Sequence, residues 1–294
     1  MKKISIILSM IFLLTGCNAP SNDSDKIEIY TTFYVMSEFA RVIGGDHVVV
    51  TQLLSDGGDA HNYEPTSQNI ANVATGDLFI YNSDQLEHYA QDIIESSGND
   101  RLKVVMAAQG IELIQNDHGL DPHTWLSLKN AKIELKNILD AYCEIDNDNA
   151  DYYQSNYDEY VQELEDLDKS YEQGLAPFVN REIVVEHEAF AYLCADYGIV
   201  QKSVTGITSE GEATANQIKS AVDYINSEQI KVIFYQEELN EKVMQTIAQE
   251  TRTELLPLST IASLSSEDVA AGSDYLSVMR QNLENIVYAL DQIN

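Results

Sequence analysis

Residues 149–175 read NADYYQSNYDEYVQELEDLDKSYEQGL, and this stretch decides how the chain is organised. It contains no proline, and its only glycine, Gly174, stands near its end. Apolar and aromatic side chains recur three or four positions apart, at Tyr153, Tyr157, Tyr160, Leu164, Leu167, Tyr171 and Leu175. This spacing predicts one continuous helix with a single apolar stripe, about 40 Å long at a rise of ~1.5 Å per residue. Such a helix can join two lobes stiffly.

Short apolar, β-branched segments alternate with helical patterns on both sides of this helix. The predicted strands are 27–33, 48–54, 77–81, 102–106, 182–185, 231–235 and 254–256. The predicted helices are 35–43, 67–75, 189–197, 215–226, 241–250 and 275–290. This alternation is typical of α/β proteins, in which a mostly parallel sheet is covered by helices on both faces.

The N-terminus is predicted to be an export signal. Lys2 and Lys3 precede an apolar stretch, 4–14, that is too short to span a bilayer. Leu14-Thr-Gly-Cys17 resembles a bacterial lipobox, which predicts lipidation of Cys17. The alternative is an ordinary secretory signal that happens to contain a cysteine. No other stretch is apolar over the ~20 residues that a membrane span needs, so we expect an extracytoplasmic protein anchored to the cell membrane by lipid.

These patterns divide the chain into five predicted segments. They are a signal peptide (1–16), a lipidated tether (17–25), an N-terminal α/β lobe (26–147), the connecting helix (148–178) and a C-terminal α/β lobe (179–294).

The acidic composition limits the possible partners, and the sequence around the cysteines indicates their redox state. With 48 acidic and 17 basic residues, the formal charge is −31, which excludes nucleic acid as a partner and disfavours anionic lipid. Cys143 and Cys194 both lie in apolar helical patterns. We therefore favour two buried thiols over a disulfide, although an oxidising exterior would permit the bond.

Three of the six histidines occupy unusual positions. His61 lies in a loop after a predicted strand, His123 lies between a strand region and a helix, and His187 directly follows the strand 182–185. Ligands of open α/β sheets bind at the carboxyl ends of strands, and imidazole is the commonest transition-metal ligand. Separations of 62 and 64 residues are unlike those of a zinc finger. The fold must therefore assemble any such site from distant loops.

The histidine pattern alone leaves alternative functions and an additional ligand possible. His118 could be an accessory ligand or a solvated loop residue. Three histidines with an open fourth position also suit a zinc hydrolase, although no HExxH motif is present. A surface adhesin or sensor could coexist with metal binding.

Several segments resemble the zinc- and manganese-binding lipoproteins of ABC importers, the cluster A-I solute-binding proteins. The similar segments are Phe33-Tyr34, His61-Asn-Tyr-Glu-Pro-Thr66, Asp121-Pro-His-Thr-Trp-Leu126, His187-Glu-Ala-Phe-Ala-Tyr-Leu193 and Tyr275-Leu-Ser-Val-Met279. Three separate metal-loop motifs in the same order make the resemblance specific, and it covers nearly the whole mature chain.

The resemblance implies a cation held in the cleft between two lobes. It assigns ligand roles to His61 and His123 from the first lobe and to His187 from the second. Asp274 is the nearest match to the carboxylate that relatives often supply as fourth ligand, with water or Glu212 as alternatives and helix capping as its competing role.

The implied cargo is Zn²⁺, because three imidazoles suit zinc and a carboxylate at position 187 would suit Mn²⁺, the alternative cargo. The implied partners are an ABC permease and its ATPase. We expect a monomer that is not an enzyme.

Overall fold

The computed structural model describes residues 26–116, 119–206, 213–236 and 241–293. In the N-terminal half, four parallel strands form one sheet in the order β2-β1-β3-β4. The strands are β1 (Ile27–Thr31), β2 (Val48–Gln52), β3 (Leu78–Tyr81) and β4 (Lys103–Met106). In the register, Ile29 pairs with both Val50 and Leu78. The predicted parallel sheet is confirmed.

The helices of this half connect the strands and cover the sheet. They are α1 (Tyr34–Gly44), α2 (Ser67–Val73), α3 (Ala90–Ser97) and α4 (Leu128–Ile145), and a small antiparallel hairpin of β5 (Gln115–Asn116) and β6 (Gly119–Leu120) lies before α4. Thr66 begins α2 with a capping box, because its hydroxyl accepts from the Asn69 amide while the Asn69 side chain accepts from the Thr66 amide. This cap fixes where the loop that carries His61 ends.

One long helix, α5 (Ala150–Leu175), joins the halves. The side chains of its predicted stripe are buried except for Tyr157, which is half-buried. The helix packs against α4 and α1 of the N-terminal half and also against the helix at 275–291. One hydrophobic cluster runs from β1 through α5 into the C-terminal half. The connecting helix is therefore part of the core.

The C-terminal half contains two pairs of parallel strands. They are β7 (Glu182–Val185) with β8 (Val200–Ser203), and β9 (Val232–Tyr235) with β10 (Glu254–Pro257). Strand β7 lies beside β9. Helices accompany these strands: α6 (Ala191–Tyr197), α7 (Ala215–Glu228), α8 (Lys242–Thr251), α9 (Ser266–Ala270) and α10 (Tyr275–Asp291). Strand β8 was not predicted, because Val-Gln-Lys-Ser is short and has only one apolar residue.

The two cysteines of the body are free thiols, as predicted, although only Cys194 is buried and Cys143 is half-buried. Throughout the described part of the chain, helices are too short or too polar to cross a membrane. The predicted lipidation site, Cys17, lies outside the described residues.

Candidate metal centre

Three loops bring the predicted histidines to one point. His61 lies between β2 and α2, His123 precedes a 3₁₀ turn at 124–126, and His187 follows β7 by two residues. Their ligand nitrogens all lie within 4.8 Å of one another. Within the described ranges, they are the only three or more His, Cys, Asp or Glu side chains so arranged. The fold therefore assembles the cluster that sequence spacing alone could not establish.

The distances between the imidazole nitrogens match those around a tetrahedral cation. Nε2 of His123 lies 3.0 Å from Nε2 of His61 and 3.3 Å from Nε2 of His187. With Zn–N bonds of ~2.0–2.1 Å, neighbouring nitrogens of a tetrahedral shell stand roughly 3.3 Å apart. The rings are tilted by 54° to 88° to one another, so they converge and do not stack. A small adjustment suffices to seat a cation.

A buried carboxylate orients His123. Asp121 Oδ1 accepts hydrogen bonds from the His123 backbone amide at 2.9 Å and from its Nδ1 at 2.8 Å. Because Nδ1 donates to Asp121, the lone pair of Nε2 is free for a cation. The sequence interpretation gave Asp121 no separate role. The available signal was its position two residues before a candidate ligand.

His187 lies beside a neutral side chain, Gln236, whereas His123 lies beside the carboxylate of Asp121. Gln236 follows β9, is 3% exposed, and lies beside His187. Its backbone amide donates to Oε2 of Glu186 at 3.4 Å. Among the described residues, neither His187 Nδ1 nor Gln236 Nε2 has a hydrogen-bond partner. His187 is therefore held by burial, by its place at the end of β7 and by the neutral side chain of Gln236 beside it.

His61 is the most accessible of the three. Its backbone amide donates to Oδ1 of Asp59 at 2.9 Å, and Asn62 Nδ2 donates to Oδ2 at 2.7 Å. These bonds form a side-chain-stabilised turn of the kind that aspartate favours. The turn fixes the loop while the imidazole stays half-buried. A cation can thus reach the site from the side of His61.

Burial keeps the two inner imidazoles neutral. It lowers the pKa of His123 to about 3. It also lowers the pKa of His187 well below its usual value, and positive charge on His123 or His61 would lower that pKa further. Burial raises the pKa of Asp121 to about 7, against the lowering effects of the His123 amide and of His61. Neutral imidazoles need no deprotonation before they bind a metal.

The fourth predicted ligand, Asp274, is not part of the histidine cluster. Its side chain is exposed and accepts a hydrogen bond from the Ser277 amide at 2.7 Å, as the N-cap of α10. Capping is favoured at this position because the first amides of a helix have no partner within the helix, and the ligand role of Asp274 stays a prediction. The structure therefore brings together three of the four predicted ligands.

Two further predicted candidates, His118 and Glu212, lie outside the described residues. Of the histidines left without a metal role, His47 packs against the rings of Tyr152 and Tyr153. His88 is exposed on the surface.

Comparisons with known proteins agree over nearly the whole chain. The family model of ZnuA, the periplasmic component A of zinc-uptake complexes, matches residues 29–289. The chain is 33% identical over 300 residues to the high-affinity zinc uptake system protein ZnuA of Bacillus subtilis, covering 95% of this chain and 94% of that protein. It is 29% identical over 309 residues to the zinc-binding lipoprotein AdcA of Streptococcus pneumoniae, covering 99% of this chain but 62% of the longer relative.

A solved structure has the same fold. The crystal structure of the Zn(II)-bound ZnuA-like domain of Streptococcus pneumoniae AdcA matches with a TM-score of 0.82 at 29% identity. The match covers 91% of this chain and 100% of that domain.

Proposed function

This chain belongs to the family of ZnuA, the periplasmic component A of zinc-uptake complexes, and from that premise we propose that it captures Zn²⁺ outside the cytoplasm and delivers it to an ABC permease for uptake. The observation that carries the proposal is the convergence of the Nε2 atoms of His61, His123 and His187. In this function the metal ion is the cargo, and the permease and its ATPase supply the passage and the energy.

The donor set favours zinc among divalent cations. Three neutral imidazoles suit Zn²⁺, whereas Mn²⁺ prefers oxygen-rich sites. The relatives compared above are named for zinc uptake or zinc binding. A manganese cargo is the alternative, and it would require oxygen ligands at the remaining positions of the shell.

Ligands from both halves make release by opening possible. His61 and His123 belong to the N-terminal half, and His187 belongs to the C-terminal half. We propose lobes at 26–147 and 179–294, with 148–178 as the connecting segment. A small relative movement would withdraw one ligand of three without unfolding either lobe. A permease that binds the open form better would shift the population toward release.

The same proposal includes attachment to the outer face of the cell membrane through a lipid on Cys17. One curated relative carries the name lipoprotein. An anchored carrier would stay close to its permease, and a short polar tether after Cys17 would let the folded body reorient. Radiolabelled palmitate incorporation into the wild-type chain, and its loss in Cys17→Ala, would test this part separately.

A zinc hydrolase is the competing function for a three-histidine site. It needs a general base within hydrogen-bond reach of the metal-bound water. The nearby carboxylate of Asp121 is bonded to His123 Nδ1, on the side of the ring away from the converging Nε2 atoms. Its position suits orientation of a ligand better than activation of water. The other candidate bases are Glu64 and Glu186, and Glu186 accepts a hydrogen bond from the Gln236 amide. We therefore propose transport.

Elemental analysis tests the proposal directly. The protein is purified from its own cells, and its metal content is compared with that of His187→Ala. We expect about one zinc per wild-type chain and far less in the variant. Iron or manganese as the main metal, retained by the variant, would contradict the zinc assignment. A zinc-reversible growth defect on deletion of the gene would support uptake, and no change in cellular zinc would contradict it.

A further inference from the structure

Tyr275, the first residue of α10, is bonded to the N-terminal half through both its backbone amide and its side-chain hydroxyl. The Tyr275 backbone amide donates to Glu38 of α1, at 2.9 Å to Oε1 and 2.8 Å to Oε2. The Tyr275 hydroxyl donates to the backbone carbonyl of Trp125 at 2.6 Å. Tyr275 and Trp125 are fully buried, and Glu38 is 7% exposed. Since α10 packs against β7 and β10, these bonds link the two halves of the molecule.

Glu38 also holds the connecting helix. The Tyr160 hydroxyl of α5 donates to Glu38 Oε1 at 2.9 Å. One carboxyl group of α1 thus contacts both α5 and α10, and at the N-terminus of α10 it accepts from an amide that has no partner within the helix. This contact therefore ties α1, α5 and α10 together.

Trp125 extends the connection to the metal centre. It lies two residues after His123, and the centroids of the two rings are 5.4 Å apart. Its Nε1 donates to the carbonyl of Thr260, in the C-terminal half, at 2.7 Å. The segment that carries His123 is therefore bonded to the C-terminal half through both the carbonyl and the indole of Trp125.

We propose that Glu38, Tyr160, Tyr275, Trp125 and Thr260 form an interlobe latch that sets how fast the captured metal leaves. This inference rests on the proposed function. None of the five is a predicted ligand. Separating His187 from His61 and His123 by opening the cleft requires that the bonds of the latch break first. Tyr275 is thus a positioning residue, and a permease that disturbs the start of α10 would release the cargo.

The test compares three tyrosine variants that each lose one buried hydroxyl. Tyr275→Phe removes the bond to Trp125. Tyr142→Phe removes a 2.8 Å bond to the carbonyl of Ala40 inside the N-terminal half. Tyr171→Phe removes a 2.6 Å bond to the carbonyl of Met279, between α5 and α10. All three side chains are fully buried and donate to a backbone carbonyl, so the two controls match the loss of stability but leave the latch intact.

Two measurements report on the latch. Zinc release into excess chelator is followed by stopped flow, and we expect Tyr275→Phe to release about tenfold faster than both controls, as loss of one buried hydrogen bond implies. Trp125 is the only tryptophan of the chain, so acrylamide quenching of its fluorescence in the metal-free protein reports opening without any metal. We expect stronger quenching in Tyr275→Phe than in either control. An unchanged Co²⁺ absorption spectrum would show that the ligand set is intact.

Equal release rates, or equal quenching, across the three variants would overturn the latch. If Tyr275→Phe does not fold, Tyr160→Phe takes its place, with the same expectations and the same controls. Absence of zinc binding by the wild-type protein would refute the proposed function instead. The metal-free quenching experiment would then still decide whether the latch holds the halves together.

Discussion

Replacing Asp121 by asparagine should weaken zinc binding without removing a ligand. The carboxylate accepts two hydrogen bonds from His123, at 2.8 and 2.9 Å, and the two side chains are 0% and 1% exposed. A charge-assisted bond at a water-free position contributes roughly 1.5–3 kcal/mol. Asparagine keeps the shape and an acceptor oxygen but removes the charge that makes the imidazole a stronger donor to the metal.

We expect the dissociation constant for zinc to rise about 10- to 100-fold, which corresponds to about 1.4–2.8 kcal/mol. Competition with a fluorescent zinc chelator at constant pH measures this change, and X-ray absorption counts the nitrogen ligands. Asp223→Asn is the matched control, because that side chain is 65% exposed and paired with Lys219 on the surface of α7.

Two outcomes would refute this reasoning. An affinity within twofold of the control would show that the contact with Asp121 does not influence His123 as a ligand. Loss of all measurable binding, with one ligand fewer in the absorption spectrum, would show that the carboxylate binds the metal directly.

Four further predictions test the site and the core. His61→Ala should abolish stoichiometric zinc binding in equilibrium dialysis, whereas the exposed His88→Ala should bind as wild type; equal binding by both would contradict the ligand assignment. His187→Glu should lose more affinity for Zn²⁺ than for Mn²⁺ in parallel titrations, because it replaces an imidazole by a harder oxygen donor; equal losses would count against the donor-set argument. Zinc at 100 times its dissociation constant should raise the free energy of unfolding by about 2.7 kcal/mol. Thermal unfolding would show this as a midpoint that rises with zinc concentration. A midpoint that does not change with zinc would mean that the native state does not bind zinc selectively. Burial raises the pKa of Glu134 from 4.5 to about 8, so the stability contributed by the protonated side chain is complete below pH 4.5 and is lost as the pH rises through about 8. In denaturant titrations, the free energy of unfolding of Glu134→Gln should therefore increase relative to that of the wild type by up to ~1.4 kcal/mol per pH unit between those values. A difference that does not change with pH would contradict the shift.

Functional consequences follow from the neutrality of the buried imidazoles. In solution, protons compete for histidine below a pH of about 6.5. Burial lowers the pKa of His123 to about 3, so proton competition at this ligand begins at a lower pH than composition alone would indicate. His61, the half-buried ligand, is the most accessible position for exchange.

Local sequence predicted the connecting helix and most of the strands, whereas helices α3 and α4 and strand β8 were not predicted. Tyr153, Leu164 and Tyr171 recur with the period of a helix, and the connecting helix forms where this period predicts it, at Ala150–Leu175. Strands such as Lys103–Met106 form where apolar, β-branched runs occur. Periodicity and propensity are properties of residues close together in the chain, so they can be recognised from the sequence alone.

The composition of the metal centre was decided by tertiary structure. Imidazoles 62 and 64 residues apart meet because the two halves pack around α5, and no local pattern encodes that distance. Asp274 shows the same limit: the sequence places an acid before a helix, but only the fold shows that this acid caps α10 by accepting from the Ser277 amide and is not part of the histidine cluster. The role of Asp121 and the hydrogen bonds of Tyr275 could likewise not be predicted from the sequence. Hydrogen bonds between distant segments depend on how the halves pack. The sequence by itself thus determined which side chains could bind a metal, and the packing of the halves determined which of them meet.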